Sequence, residues 1–277
     1  MRVRGSYFIF ALPTVVIFGG SIFLLVVSHG ATSVASTTST AAKSHLVSAS
    51  GEKTTPNAAE DGQFSKARRS MIEVLRHEGI KDGKVLAAMN EIQRQRFVPA
   101  NRQSQSYDDC ALQIGHEQTI SRPYIVALMT ELVKPSADKR VLDIGTGSGY
   151  QAAVLAKLCK EVDSIEIVEP LATTARKRLA ALGYKNVNVR CGDGYHGWPE
   201  KGPFDIIVVA AAPDQVPQAL VDQLAPGGRL VIPVGDDSQK LLLMEKDAHG
   251  IVQRREVLAV KFVPMTGEAQ NNQKKHS

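Results

Sequence analysis

Apolar residues are distributed along this chain in three different ways. From Tyr7 to Val27 they are nearly continuous, interrupted only by Pro13, Thr14, Gly19, Gly20 and Ser21. From Ala31 to about Gly62 large apolar side chains are scarce in a Ser/Thr/Ala-rich stretch that includes Pro56. From Phe64 onward they recur with a period. Phe64, Ala67, Met71, Ile72 and Leu75 share a helical face, and Gly79 is placed to end that helix. Asp82 stands as the cap of a second helix, whose apolar face is Val85, Leu86, Met89 and Ile92 and which Phe97-Val98-Pro99 breaks.

After Arg140 the period changes. Short β-branched runs at 141–144, 162–167, 187–190, 205–209, 229–234, 240–245 and 256–263 are separated by helical segments at 150–159, 170–182 and about 216–224. Strand alternating with helix predicts an α/β fold: a doubly wound, mostly parallel seven-stranded sheet with right-handed crossovers, preceded by N-terminal helices. Only the turn-like Asp247-Ala248-His249-Gly250 separates the last two runs, so the sheet should end in a hairpin with an antiparallel C-terminal strand.

These patterns divide the chain into an apolar segment (1–30), a flexible linker (31–63), a folded domain (64–268) and a polar tail (269–277). Residues 7–27 would reach about 31 Å as a helix, enough to cross a bilayer. With Arg2 and Arg4 before them and Ser33-Val34-Ala35 after them, they read equally as a membrane anchor or as a signal peptide. The flanking positive charge predicts an N-in orientation, with the domain tethered outside the cytoplasm or exported.

Composition excludes several classes. Hydrophobic residues make up 43% and charged residues 22%, so the chain as a whole is neither disordered nor polytopic. A net charge of +5 is too small and too dispersed for a nucleic-acid footprint. Three widely spaced cysteines and seven scattered histidines offer no metal-ligand spacing, and no metal site is expected.

The chemistry concentrates in Val141-Leu142-Asp143-Ile144-Gly145-Thr146-Gly147-Ser148-Gly149-Tyr150. Glycines that close a turn between strand and helix let backbone approach a ligand at the helix N-terminus. The Gly-x-Gly-x-Gly spacing departs from the dinucleotide pattern and argues against NAD. Glu166 ends the next strand, where a carboxylate can accept both hydroxyls of a ribose. Asp193 and Gly194 follow the third strand, where a carboxylate can accept from an adenine amine. Together these strand ends outline a site for an adenosine-bearing cofactor.

With Arg96-Phe97-Val98-Pro99, Gln118-Thr119-Ile120-Ser121, Leu142 to Tyr150, Gly192-Asp193-Gly194, Pro233-Val234-Gly235 and Phe262-Val263-Pro264, the chain resembles the protein-L-isoaspartate O-methyltransferases from about Met71 to Gly267. The resemblance implies a Rossmann-like class I fold and S-adenosylmethionine as methyl donor. It implies methylation of the free carboxylate of L-isoaspartyl residues in damaged proteins and peptides, and a monomeric, cytoplasmic enzyme. It implies that Ser121 is the active-site residue. The donor would be held by Thr119, Ile120, Ser121, Asp143, Gly145, Thr146, Gly147, Ser148, Gly149, Glu166, Asp193, Gly194 and Gln239. Two other readings share the glycine loop: a class I methyltransferase acting on another carboxylate or side chain, and a non-catalytic cofactor-binding module anchored by residues 7–27.

Ser121 also has a reading of its own. It precedes Arg122-Pro123-Tyr124 and a helical run, which places it at a helix start, as a plain N-cap or as a hydrogen-bond donor to an anion there. An isoaspartyl carboxylate is already ionised at neutral pH, so methyl transfer to it needs placement rather than a base.

Overall fold

The computed structural model describes residues 58–269, and the apolar segment at 7–27 lies outside them. Helix α1 (Ala58–His77) begins inside the stretch read as linker. It is followed by α2 (Gly83–Glu91), where the Asp82 carboxylate accepts from the Lys84 and Val85 amides as expected of a cap. A 3₁₀ turn at Arg94–Phe97 then leads to a feature the sequence did not signal, a hairpin of β1 (Leu112–Gly115) and β2 (Gln118–Ile120). Its two-residue loop, His116 and Glu117, has φ of 52° and 60°. A two-residue turn with positive φ at both positions usually supplies it with Asn or Gly, so this pair gives no turn signal.

Helix α3 (Pro123–Leu132) leads into the main sheet, made of β3 (Arg140–Ile144), β4 (Glu161–Glu166), β5 (Val187–Cys191), β6 (Phe204–Val209), β7 (Leu224–Val234), β8 (Gln239–Lys246) and β9 (Val252–Val260). The strands lie in the order β5-β4-β3-β6-β7-β8-β9. Helices α4 (Tyr150–Leu158), α5 (Glu169–Ala181) and α6 (Gln218–Asp222) connect them. The predicted doubly wound sheet is present, with β8 antiparallel to both β7 and β9. Alternation along the strands sorts two apolar layers. Val141, Val162, Ile206 and Val208 pack under α1–α4, while Leu142, Ile165, Ile207 and Val209 pack with Leu220 of α6 and with Met265.

Two boundaries differ from the sequence reading for local reasons. Helix α6 is shorter, because Leu224 already pairs with Phe204 and β7 takes in Pro226-Gly227-Gly228. Strand β9 ends at Val260 instead of running through Val263. The Gln239 side chain takes both backbone groups of Phe262, accepting from its N–H (2.6 Å) and donating to its carbonyl (3.1 Å). Residues 262–265 thereby leave the ladder and cross the carboxyl end of β6, where Ala212 donates to Val263 and accepts from Met265. The strand order reverses between β3 and β6, and at such a switch point the loops diverge and leave a crevice.

Candidate active site

The crevice at that point is a cleft of about 890 Å³, open solvent included. The glycine loop, Glu166, Gly194 and Thr119-Ile120-Ser121 all line it, so segments 75 residues apart in sequence from Thr119 to Gly194 are brought together. Gly149 has φ of 89° at the start of α4. At Gly194 a Cβ would stand 2.3 Å from Ile144 Cγ2, so only glycine lets this turn close on the strand end.

Glu166 is 5% exposed and braces the loop: Gly147 N–H donates to Oε2 (2.7 Å) and Val168 N–H to Oε1 (2.9 Å). Each oxygen keeps an acceptor position for a ligand hydroxyl. Asp143 is fully buried behind the loop and does not line the cleft. Ser164 donates to its Oδ2 (2.7 Å), its Oδ1 has no partner, and Thr146 and Ser164 hydroxyls are 2.5 Å apart. Burial, reinforced by the Glu166 charge and opposed by the Ser164 hydrogen bond, pushes the Asp143 carboxyl up to about 7.

Asp193 and Gln239 are placed differently from the sequence reading. Each Asp193 oxygen accepts from backbone, Oδ1 from Tyr195 N–H (2.8 Å) and Oδ2 from Glu268 N–H (2.8 Å), and the residue is not part of the cleft lining. It ties the C-terminal segment to the end of β5. Gln239 lines neither this cleft nor its neighbour; it holds Phe262.

Ser121 is not a helix cap. Arg122 occupies the cap position of α3 without any side-chain cap bond, and Asp109 serves instead, accepting from Tyr124 N–H (2.8 Å). Strand β2 delivers Ser121 to a joint. On one side is the glycine-loop cleft, and on the other a groove of about 980 Å³, open solvent included, between Ala111, Arg122 and Ile125 and the run Leu258–Val263. Thr119, Ser121, Ala210 and Val263 line both.

Behind Ser121 lies a residue that sequence reasoning missed. Arg94 is 0% exposed and donates from Nε to the Ser106 carbonyl (2.7 Å) and from Nη2 to the Ser121 carbonyl (2.7 Å). Its guanidinium lies 4.6 Å from the centroid of the Tyr150 ring. A lone arginine between two helical faces has no periodic signature, and only the tertiary fold reveals its burial.

A glycine loop after the first strand, a carboxylate at the end of the second and a cleft at the switch point are the arrangement of class I methyltransferases, which bind S-adenosylmethionine in such a crevice. The family model for protein-L-isoaspartate(D-aspartate) O-methyltransferase matches residues 66–270. Proteins named protein-L-isoaspartate O-methyltransferase are similar to it at 48% identity over 221 residues in Syntrophobacter fumaroxidans (76% of this chain, 90% of that one). In Synechococcus sp. the identity is 52% over 211 residues (73% and 86%). A solved protein-L-isoaspartate O-methyltransferase superposes with a TM-score of 0.68 at 31% identity, covering 75% of this chain and 69% of that one. A Plasmodium falciparum structure bearing the same family name, in complex with S-adenosyl-L-homocysteine, superposes with a TM-score of 0.62 at 27% identity (72% and 98%). The chain belongs to the protein-L-isoaspartate(D-aspartate) O-methyltransferase family.

Proposed function

We propose that this chain performs its family's reaction, methyl transfer from S-adenosylmethionine to the free carboxylate of L-isoaspartyl residues, with Ser121 placing that carboxylate where the two clefts meet. Family membership supports the reaction, and the position of Ser121 on both linings supports the role.

The glycine loop and Glu166 suit the donor. Gly145, Gly147 and Gly149 bring backbone to the cleft floor, Thr146 and Ser148 complete the loop, and the spare acceptor positions on Glu166 fit two ribose hydroxyls. Gly194, which has no room for a side chain, leaves a flat wall beside them. Bound S-adenosylmethionine supplies an electrophilic methyl group on a sulfonium.

The chain's own contribution is placement. The Ser121 hydroxyl, which caps nothing, donates to one carboxylate oxygen and leaves the other to attack. Met129, Val126 and Ile120 wall the cleft and exclude water that would solvate the anion. No base is needed, because the nucleophile is ionised before it arrives. The groove beyond Ser121, walled by the end of β9, takes the rest of the substrate chain.

The test is transfer of labelled methyl to an isoaspartyl peptide and to its aspartyl twin. Label on the isoaspartyl peptide alone is expected; equal labelling would select a less specific carboxylate methyltransferase, and donor binding without turnover would select a non-catalytic module.

We further propose that residues 64–268, with the preceding turn of α1, act as the catalytic unit and that residues 7–27 decide where it works. Among the described residues no helix is long and apolar enough to cross a membrane, and the family resemblance points to the cytoplasm. Fractionation with N-terminal sequencing of the mature chain separates cytoplasmic, anchored and exported forms.

A further inference from the structure

Arg94 is a full positive charge in the interior that meets only neutral groups. Its two hydrogen bonds go to carbonyls, its Nη1 has no partner, and among the described residues no carboxylate pairs with it. Buried charges are normally paired, and an uncompensated one is costly unless it serves something nearby. Burial lowers the Arg94 pKa, yet a guanidinium stays protonated in such surroundings.

Its partners explain its position. The Ser121 carbonyl belongs to the residue where the two clefts meet, and the Ser106 carbonyl lies on the chain that leads to β1. The fork of Nε and Nη2 fixes both at 2.7 Å, while the ring of Tyr150, which lines the donor cleft, supports the guanidinium face. One rigid planar group thus ties together the backbone at 106 and 121 and packs against the Tyr150 ring.

We propose that Arg94 is the positioning residue for Ser121: it locks the peptide plane that aims the hydroxyl, and its unpaired charge draws the substrate carboxylate to the joint. This rests on the reading of Ser121 as the carboxylate donor. Lysine in its place keeps the charge but has one nitrogen where the fork needs two. Glutamine keeps a donor but not the charge.

The experiment is a double-mutant cycle on the full-length protein, with initial rates on an isoaspartyl peptide for wild type, Arg94→Lys, Arg94→Gln, Ser121→Ala and the two double variants, alongside thermal unfolding. With Ser121 intact, Arg94→Lys should lower kcat/KM roughly 10- to 100-fold and Arg94→Gln more. In the Ser121→Ala background, where no hydroxyl remains to be aimed, Arg94→Lys should cost under about threefold. Equal losses in both backgrounds would overturn the proposal, as would glutamine matching lysine. So would failure of Arg94→Lys to fold while Ser121→Ala folds, since the arginine would then be purely architectural. Wild-type turnover by Ser121→Ala would instead overturn the reading of Ser121, and this proposal with it.

Discussion

The donor cleft is built around the carboxyl ends of adjacent strands β3, β4 and β6 and closed by Gln118–Ser121 and Val263–Thr266, whereas the groove beside it is walled by Ala111, Arg122 and Ile125 on one side and Leu258–Val263 on the other. The first is held from behind by polar groups at 5% exposure or less: Asp143, Ser164 and Thr146 are linked by hydrogen bonds, and Glu166 holds the Gly147 amide beside them. The second has no such backing and is held at its edges, by Gln239 on Phe262 and by Arg94 on Ser121. A cleft backed by the sheet is preorganised for one small molecule. A groove between a helix start and a strand end suits a variable protein chain, whose common feature is a single carboxylate.

If the backing of the donor cleft is as tightly organised as this contrast requires, its buried carboxyl should dominate the pH dependence of stability. The Asp143 carboxyl has its pKa raised to about 7 in the fold. A raised pKa means the fold favours the neutral form, so that contribution is complete below about pH 4 and disappears as pH rises towards 7. Asp143→Asn should therefore be more stable than wild type above pH 7, by on the order of 4 kcal/mol, with the gap closing towards pH 4. Urea midpoints of both proteins from pH 4 to 8.5 measure it, and parallel curves would remove Asp143 from the account.

The next effect tests the joint itself. Ser121→Ala removes one hydrogen bond to a charged group, worth about 1.5–3 kcal/mol, or roughly 10- to 150-fold in turnover. Donor affinity should stay nearly intact. A far larger loss, or a methylated enzyme, would mean covalent chemistry in place of positioning.

Why one half of the site could be read from the sequence and the other could not follows from the same contrast. The glycine loop and Glu166 lie within one strand-helix-strand unit, so their spacing carries the geometry, and both face the cleft. Asp193 also ends a strand, but its direction depends on Glu268, far away in sequence, whose amide it binds. The hairpin that presents Ser121 turns at His116-Glu117, where composition gives no hint, and its strands are four and three residues long. Asp109 caps α3 from outside the helix, which a local search for caps assigns to Ser121. Resemblance to a family found Ser121; only the fold showed that its hydroxyl is free of the helix.

On the donor side, Glu166→Gln sharpens the comparison. A carboxamide has one acceptor oxygen where the carboxylate has two, so it cannot hold the Gly147 and Val168 amides and two ligand hydroxyls together. Donor affinity should fall about tenfold, close to 1.4 kcal/mol, with the peptide KM little changed. Calorimetry of donor binding reads the first and steady-state rates the second; a loss confined to the peptide KM would reverse the assignment of the two clefts.

The smallest effect on function is expected at Gln239, which lines neither cleft. Its amide acts as a substitute strand, giving Phe262 one donor and one acceptor where β9 has stopped. At 7% exposure the residue is nearly dry, so removing the amide leaves two backbone groups short of partners. Gln239→Ala should cost about 1–2 kcal/mol of stability, part of it recovered because water can reach Phe262, which is only partly buried. Its functional signature should be lopsided. Phe262 lines the groove and not the donor cleft, so a looser Phe262 should raise the peptide KM a few-fold while donor affinity stays within twofold of wild type. Gln239→Glu should be worse than alanine for stability at neutral pH, because a carboxylate can accept from the Phe262 amide but repels its carbonyl. If the alanine variant instead lost donor affinity and kept its peptide KM, the Gln239–Phe262 bond would act mainly through Val263, Pro264 and Met265, which line the donor cleft, and the division of labour between the two clefts would have to be redrawn.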